Sequence, residues 1–575
     1  MPLQSDKHCL TARKPWEKLA CLLLIAASLL YYWSVFFYYA LDAGQADEFV
    51  DVLWFFEIFR EQVNWLDKLA VIALPNHEHV TIFNHLVYLA DYALFKQINF
   101  FHYTMIGHFI VLACCLLIAD WLKKTVGWWY ALALAFGLFL NLFYWHASFW
   151  SMTALSNQAV ILFALLAARS FSRNPSAIVM PMFWALLAVT TQFNGLLVLP
   201  ALVASGFFSA RSENRQQNWR QLLMWFGVFI VVVAIYIGYE DPFAADHLWR
   251  YVNYTDPNNL ADYIKPTHGQ SISKIKAILN AVLMMLSACG ATAFNLDNSV
   301  LAVIVGIVML LALLYLALNK NETLPDRFWW MLLFFTLASL SLVAIGRGFI
   351  FGVEAGLQYR YRLYSFLLIA LIAGGFLQRK NSIYFMRSLL LACLVMQIFS
   401  LHVLDDIGVE RENIKISYYN WLVDGGMGRS KMPFYPHNQD LRLFNAYERE
   451  YYNPYNAIDS RHKPVSIAVM KDGACGVSVL DSSEADTVQV WSKKYRALAV
   501  EIKLNIEPSA RFAKLWFCDS AVSYLVVLDK HNINKATGKY WPLLVLKKQL
   551  PPSQYRVILQ NIDGSYKLLG DIAFP

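Results

Sequence analysis

The sequence predicts a polytopic α-helical membrane protein with a C-terminal extracytoplasmic domain of mixed α/β type. About eleven transmembrane helices are expected, plus one re-entrant or interfacial segment. Three observations predict this. Hydrophobic residues make up 58% of the 575 and charged residues only 15%, against about 25% charged in an ordinary soluble domain. The apolar residues gather into runs of roughly 20, the length that crosses a bilayer. Aromatics reach 15%, with 19 Trp and 31 Tyr, the residues that favour membrane–water interfaces. This composition excludes a disordered chain, a collagen-like fibre and a disulfide scaffold. The net charge of +7 is spread over loops and reads as topology information, so no nucleic-acid partner is expected.

Taken in order, the apolar runs lie at about 19–40, 101–121, 127–146, 156–171, 177–193, 195–210, 221–238, 299–318, 328–346, 363–377 and 384–403. The first is too long and too aromatic for a cleaved signal peptide, and no small-residue cleavage site follows it. A twelfth run, 275–294, begins with Lys274 and Lys276 and breaks at Cys289-Gly290. It is expected not to cross. Lys and Arg are enriched in short cytoplasmic loops. Lys7, Arg13, Lys14 and Lys18 therefore place the N-terminus inside, as do Lys123-Lys124, Arg169 to Arg173, Arg211 to Arg220, and Arg379, Lys380 and Arg387 for later loops. Loops 42–100, 239–274 and 347–362 are then outside, with the tail.

The expected division is a membrane module at 1–404 and a periplasmic soluble domain at 405–575. Alternating stretches at 486–505, 514–529 and 555–572 read as strands. Asp563-Gly564 is a hairpin signal. Cys475 and Cys518 either pair, as an extracytoplasmic setting permits, or stay as two thiols. The other cysteines lie in or beside apolar segments, and no C-x-x-C pair exists.

The chemistry-bearing residues cluster in the outer loops. Directly after the first span come Asp42, Asp47 and Glu48. Carboxylates at a membrane face are costly unless paired or functional, although Asp47 and Glu48 also suit a helix start. His77-Glu78-His79 is not the zincin spacing. It offers a carboxylate flanked by imidazoles, for a substrate hydroxyl, a phosphate or a metal. Gly346-Arg347 and Tyr359-Arg360-Tyr361-Arg362 place three arginines at the outer surface, where positive charge is normally depleted. Arginine grips phosphate by charge-assisted, bidentate hydrogen bonds. No Walker A, G-x-S-x-G or Rossmann fingerprint is present.

With these motifs, residues 16–400 resemble the GT-C superfamily of polytopic glycosyltransferases, and most closely its bacterial members that modify O-antigen, lipopolysaccharide or related surface glycans. Ala46-Asp47-Glu48-Phe49 looks like the family's acidic hallmark after helix 1. His77-Glu78-His79 is similar to its N-E-H motif, with His where Asn is usual. Trp150 to Gln158 resembles its aromatic-rich loop ending in Gln. Gly346-Arg347 with Tyr359-Arg360-Tyr361 and Ser365 resembles its late G-R, S-R-Y, S pattern, with Tyr359 where Ser is usual.

The resemblance implies a transferase in the bacterial inner membrane. Its donor would be a polyprenyl-phosphate sugar of the undecaprenyl type, and its acceptor a glycan or a protein. Asp47 would be the general base, with Glu48 and Glu78 as supporting acids and Asp42 as a further one. These would act with or without an auxiliary divalent cation, Mg or Mn. Arg347 and Arg360 would bind the donor phosphate, with Arg362 and His79 as additional candidates. The polyprenyl chain would lie in a groove between helices, with membrane lipids as further partners.

Rival readings are an O-antigen-type polymerase and a non-enzymatic flippase or transporter of lipid-linked glycans. The polymerase would use loop 239–274, with Arg250, Lys265, His247 and His268. A transporter is expected to show repeats and charges at the membrane midplane, and neither is seen. An acyltransferase using His77 or His79 is a third.

Overall fold

The computed structural model describes residues 14–45, 48–76, 79–174, 177–209, 215–238, 274–291, 298–318, 326–380, 382–424 and 450–452, and strands between 499 and 574. The chain divides into two compact units. The first comprises Met1–Ala40, Ile58–Ala90 and His102–Leu404; the second, Leu41–Glu57, Asp91–Phe101 and Asp405–Pro575. The boundary is therefore not a single cut at 404. Two stretches within 41–101 fold with the tail.

The helices, in chain order, are α1 (Pro15–Tyr39), α2 (Phe55–Glu61), α3 (Trp65–Ile72), α4 (Ile82–Phe95), α5 (Phe100–Val126), α6 (Trp128–Phe139), α7 (Trp145–Phe149), α8 (Ser151–Arg173), α9 (Val179–Val189), α10 (Val198–Ser209) and α11 (Arg215–Gly238). They continue as α12 (Lys274–Gly290), α13 (Ser299–Leu318), α14 (Arg327–Phe351), α15 (Arg362–Lys380), α16 (Ile383–Ser400) and α17 (Leu404–Asp424). Among the described residues, seven helices are long and apolar enough to cross a membrane, and five further apolar helices are shorter. The protein is a polytopic helical membrane protein.

Local chemistry sets the helix ends. Asp326 accepts the Trp329 N–H at 2.9 Å at the start of α14, and Ser382 caps α16 through Phe385. Gly352 stops α14 at φ 71°, a left-handed conformation that glycine adopts without a Cβ clash.

One end of the first unit collects the basic residues. Asp120 receives Lys123 at 2.6 Å, Arg169 at 3.0 Å and Arg173 at 2.9 Å. Lys18 lies 5.0 Å over the Trp129 ring, and Arg327 lies 5.2 Å over Phe171. The Trp121 indole donates to Asp326 at 3.0 Å. Arg387 binds Glu17 at 2.7 Å, and Arg379 donates to the Leu316 carbonyl. The loops that the charge pattern assigns to one side of the membrane thus share one end of the bundle. Between α1 and α16, Gln397 donates to Ser28 at 2.6 Å, and the Tyr31 and Ser400 hydroxyls meet at 3.0 Å. Such bonds join helices where hydrocarbon supplies no hydrophobic drive.

α12 stays in the other half of the unit. Its Ala281 packs against Gly348, which lies roughly 30 Å along α14 from Arg327 at 1.5 Å per residue. Ser287 donates to the Val353 carbonyl at 3.1 Å, and Ser365 donates to the Cys289 carbonyl. Gly290 abuts Ala302 near the start of α13. The helix runs unbroken from Lys274 and ends at the Cys289-Gly290 step.

In the first outer loop, β1 (Pro75–Asn76) pairs antiparallel with β2 (His79–Val80). In the tail, β3 (Ala499–Leu504), β4 (Lys514–Cys518), β5 (Ser523–Val527), β6 (Trp541–Leu546), β7 (Ser553–Gln560) and β8 (Tyr566–Phe574) are all antiparallel. β3 pairs with β6, and the other strands form a sheet in the order β5-β4-β7-β8. β7 and β8 flank Asp563-Gly564, as the hairpin signal predicts, with a bulge at Val557/Ile558. β6 is not among the expected strands. Its Pro542 lacks an N–H and reads against a strand, yet it is tolerated where pairing is one-sided. Beyond residue 452 the described residues are strands alone; within 405–575 the described helix is α17. Cys475 lies outside the described residues.

α12 and α13 touch through backbone. A methyl group at Gly306 would run into the Leu286 carbonyl. Gly306→Ala is therefore expected to force the helices apart at a cost of ~1–3 kcal/mol, read as a lower melting temperature of the detergent-solubilised protein.

Candidate functional site

Each unit holds a group of functional side chains. In the second unit the acid-bearing loop directly after α1 is shaped from several directions. Asp42 accepts the Phe100 N–H on its carboxylate at 2.8 Å. Glu48 accepts the Gln45 N–H at 2.7 Å while its own N–H donates to the Gln45 carbonyl at 3.0 Å. The carboxylate bond is one half of a capping box; the other bond runs backbone to backbone, as in a first turn. Glu48 is 1% exposed. Two tyrosines hold the loop backbone. Tyr418 on α17 donates to the Gly44 carbonyl at 3.0 Å, and Tyr452 donates to the Asp42 carbonyl at 2.9 Å. Both rings are buried and meet edge to face, 6.4 Å apart. Burial first, then the neighbouring negative charge, pushes both phenols well above their ordinary range, so they stay protonated donors. Phe100 packs on Tyr452 at 5.3 Å and fills the space beside Gly44. Asp47 lies outside the described residues.

In the first unit the arginine turn follows Gly352 as two short 3-10 segments, Val353–Leu357 and Tyr359–Tyr361. The arginines differ in their surroundings. Arg362 is 1% exposed. It donates through Nε and Nη2 to the Leu357 carbonyl at 3.2 and 3.1 Å and lies 4.2 Å over the Tyr359 ring. Its charge therefore stitches the turn. Arg360 is half-buried, bonded through Nε to Gln358 at 3.0 Å and 5.1 Å over Tyr361. Arg347 is half-buried on the last turns of α14.

The turn meets the aromatic loop from more than two hundred residues earlier. Tyr359 packs on Trp145 at 5.3 Å. His146 lies 5.4 Å from Trp145 and 5.2 Å from Trp150. The Gln158 amide at the end of this stretch is fully buried, 3.3 Å from the Ser148 hydroxyl. Burial, then the charge of Arg360, lowers the His146 pKa to about 4. Nearby, Asn194 in the break between α9 and α10 donates to the Tyr364 hydroxyl at 2.5 Å and to Ser339 at 3.3 Å.

The His77-Glu78-His79 region is anchored on the same unit. Phe83 N–H donates to the Thr190 carbonyl at 2.9 Å, Asn84 reaches the Met152 carbonyl at 3.4 Å, and His85 donates to Ile72 at 2.8 Å. His79 is in β2. His77 and Glu78 lie outside the described residues, as do Arg250, Lys265, His247 and His268. Among the described residues no three His, Cys, Asp or Glu side chains gather as a metal site.

Sequence reasoning passes over Tyr418, Tyr452, His146 and Asn194. None sits in a recognisable spacing, and only tertiary contacts single them out.

The His146 shift carries a pH dependence. The folded state favours neutral imidazole, so between pH 4 and 6.5 the unfolded chain binds more protons. The stabilisation is full above pH 6.5 and is lost as pH falls through about 4. Melting temperature is expected to rise across that window, and less steeply for His146→Gln. No family model matches this chain, and neither does any curated protein or solved structure.

Proposed function

We propose that the protein is a membrane glycosyltransferase that moves a sugar from a polyprenyl-phosphate carrier to a surface glycan or protein. The observation that carries this reading is the loop directly after α1. It bears Asp42, Asp47 and Glu48; buried phenols donate to the Asp42 and Gly44 carbonyls, and the Glu48 carboxylate accepts the Gln45 N–H. A carboxylate kept at a membrane surface in a fixed loop suits a general base. In the other unit, the arginine turn packed on Trp145 offers cationic donors that suit a phosphate beside aromatic faces that suit a sugar ring.

In this reading Asp47 takes the proton of the acceptor hydroxyl. The acceptor oxygen bonds to the anomeric carbon as the bond from that carbon to the phosphate oxygen breaks. The electron pair leaves on the polyprenyl phosphate, and attack from the opposite face inverts the centre. Arg347 and Arg360 hold the phosphate and stabilise its growing charge. Arg362 fixes the turn that carries Arg360. Asp42 and Glu48 shape the loop, and Glu78 and His79 bind sugar hydroxyls.

The basic end of the bundle is the cytoplasmic end by the charge rule. With α12 not crossing, the chain crosses eleven times, with the N-terminus inside and the tail outside, in a bacterial inner membrane.

The test compares mass profiles of surface glycans and glycoproteins from a deletion strain complemented with wild type or Asp47→Asn. Loss of one sugar mass per unit, restored by wild type alone, is expected. Collapse of a polymer ladder to single units would make the protein a polymerase. An unchanged glycan profile would point to transport instead. Arg360→Lys is expected to weaken donor use by about tenfold or more despite the retained charge, because a planar two-pronged donor is lost. Donor-concentration dependence of turnover reads this directly.

A further inference from the structure

We infer that the extramembrane segment following the last span is a positioning element for the first-loop acids, acting through Tyr418 and Tyr452. The inference rests on the glycosyltransferase reading for its purpose and on geometry for its existence. Loop 41–45 has no regular secondary structure, so its carbonyls need partners from elsewhere. Tyr418 supplies one to Gly44 and Tyr452 supplies one to Asp42, at 3.0 and 2.9 Å, from side chains 0% and 2% exposed. The neighbourhood is tied to the same segment again, because the Ile98 N–H donates to the Tyr451 carbonyl at 2.8 Å and Phe56 stacks on Tyr451 at 6.4 Å.

In sequence the clamp runs up to the acidic pair. Asp42 and Gly44 are held by the two phenols. The Glu48 carboxylate accepts the Gln45 N–H. Gly44 has no room to drift toward Phe100, because a methyl group there would sit 2.7 Å from the ring edge. The tail's first part is therefore integral to the acid loop rather than a separable docking module. Tyr418 and Tyr452 act through the loop and are positioning residues.

The experiment uses the full-length protein in nanodiscs, with wild type, Tyr418→Phe, Tyr452→Phe and the double variant. Hydrogen exchange of the 41–48 amides reads the clamp without any activity, and faster exchange with unchanged exchange in α5 and α8 is expected. With a lipid-phosphate sugar as donor, kcat is expected to fall up to ~100-fold, as a misplaced catalytic group costs, while donor KM stays within about twofold.

Gly44→Ala moves the loop without touching either tyrosine and should show the same kcat loss, with recovery in Gly44→Ala/Phe100→Leu. That pair decides the matter if a tyrosine variant fails to fold. Unchanged exchange in all tyrosine variants would overturn the clamp. Unchanged kcat in an active background would overturn its role in positioning. A wild type inactive with every lipid-phosphate sugar while exchange still responds would overturn the transferase reading alone.

Discussion

In hydrocarbon every backbone N–H and C=O must find its partner inside the chain, and this constraint organises the molecule. It forces the apolar runs into helices and confines irregular backbone to stretches where other side chains supply the missing bonds. The candidate chemistry sits in such stretches. Loop 41–45 is supplied by two phenols. The turn after Gly352 is closed by the Arg362 guanidinium on the Leu357 carbonyl. Non-helical backbone is the part of a membrane protein free to shape a site, and here it is held by donors brought in from distant segments.

The same constraint explains how the polar residues are divided. At the basic end of the first unit, cations surround Asp120 and Glu17. Partly exposed pairs of this kind add little individually, but they hold helix ends at a common level. Between helices, Ser28, Tyr31, Gln397 and Ser400 exchange hydrogen bonds, and glycines at 290 and 306 let α12 and α13 approach through backbone. At the opposite end of that unit, arginines lie over aromatic rings. His146 between Trp145 and Trp150, close to Arg360, has its charged form penalised by burial and by like charge.

Much of this is legible in the sequence. Each of the twelve apolar runs overlaps an apolar helix, but among the described residues seven of these are long and apolar enough to cross a membrane, against about eleven expected. The grouping of basic loops at one end follows from the charge pattern. The hairpin around Asp563-Gly564 follows from turn chemistry. The three outer arginines look alike in sequence, and the structure separates them: Arg362 is buried in its own turn, while Arg360 is half-buried beside the aromatic loop. Asp42 and Glu48 read as supporting acids beside Asp47, and both carboxylates accept backbone N–H groups. An isolated tyrosine such as Tyr418 carries no local signal at all.

The sequence by itself determined the membrane class, the helix inventory and the stretches where polar chemistry accumulates. These depend on composition and short-range period, which one chain displays completely. The tertiary structure decided that α12 remains in one half of its unit, that Arg362 is buried and bonded to the Leu357 carbonyl, and that residues 41–57 and 91–101 fold with the segment after 404. Those outcomes depend on which distant donor reaches which carbonyl. That is a matter of three-dimensional approach across hundreds of residues, and no local pattern encodes it.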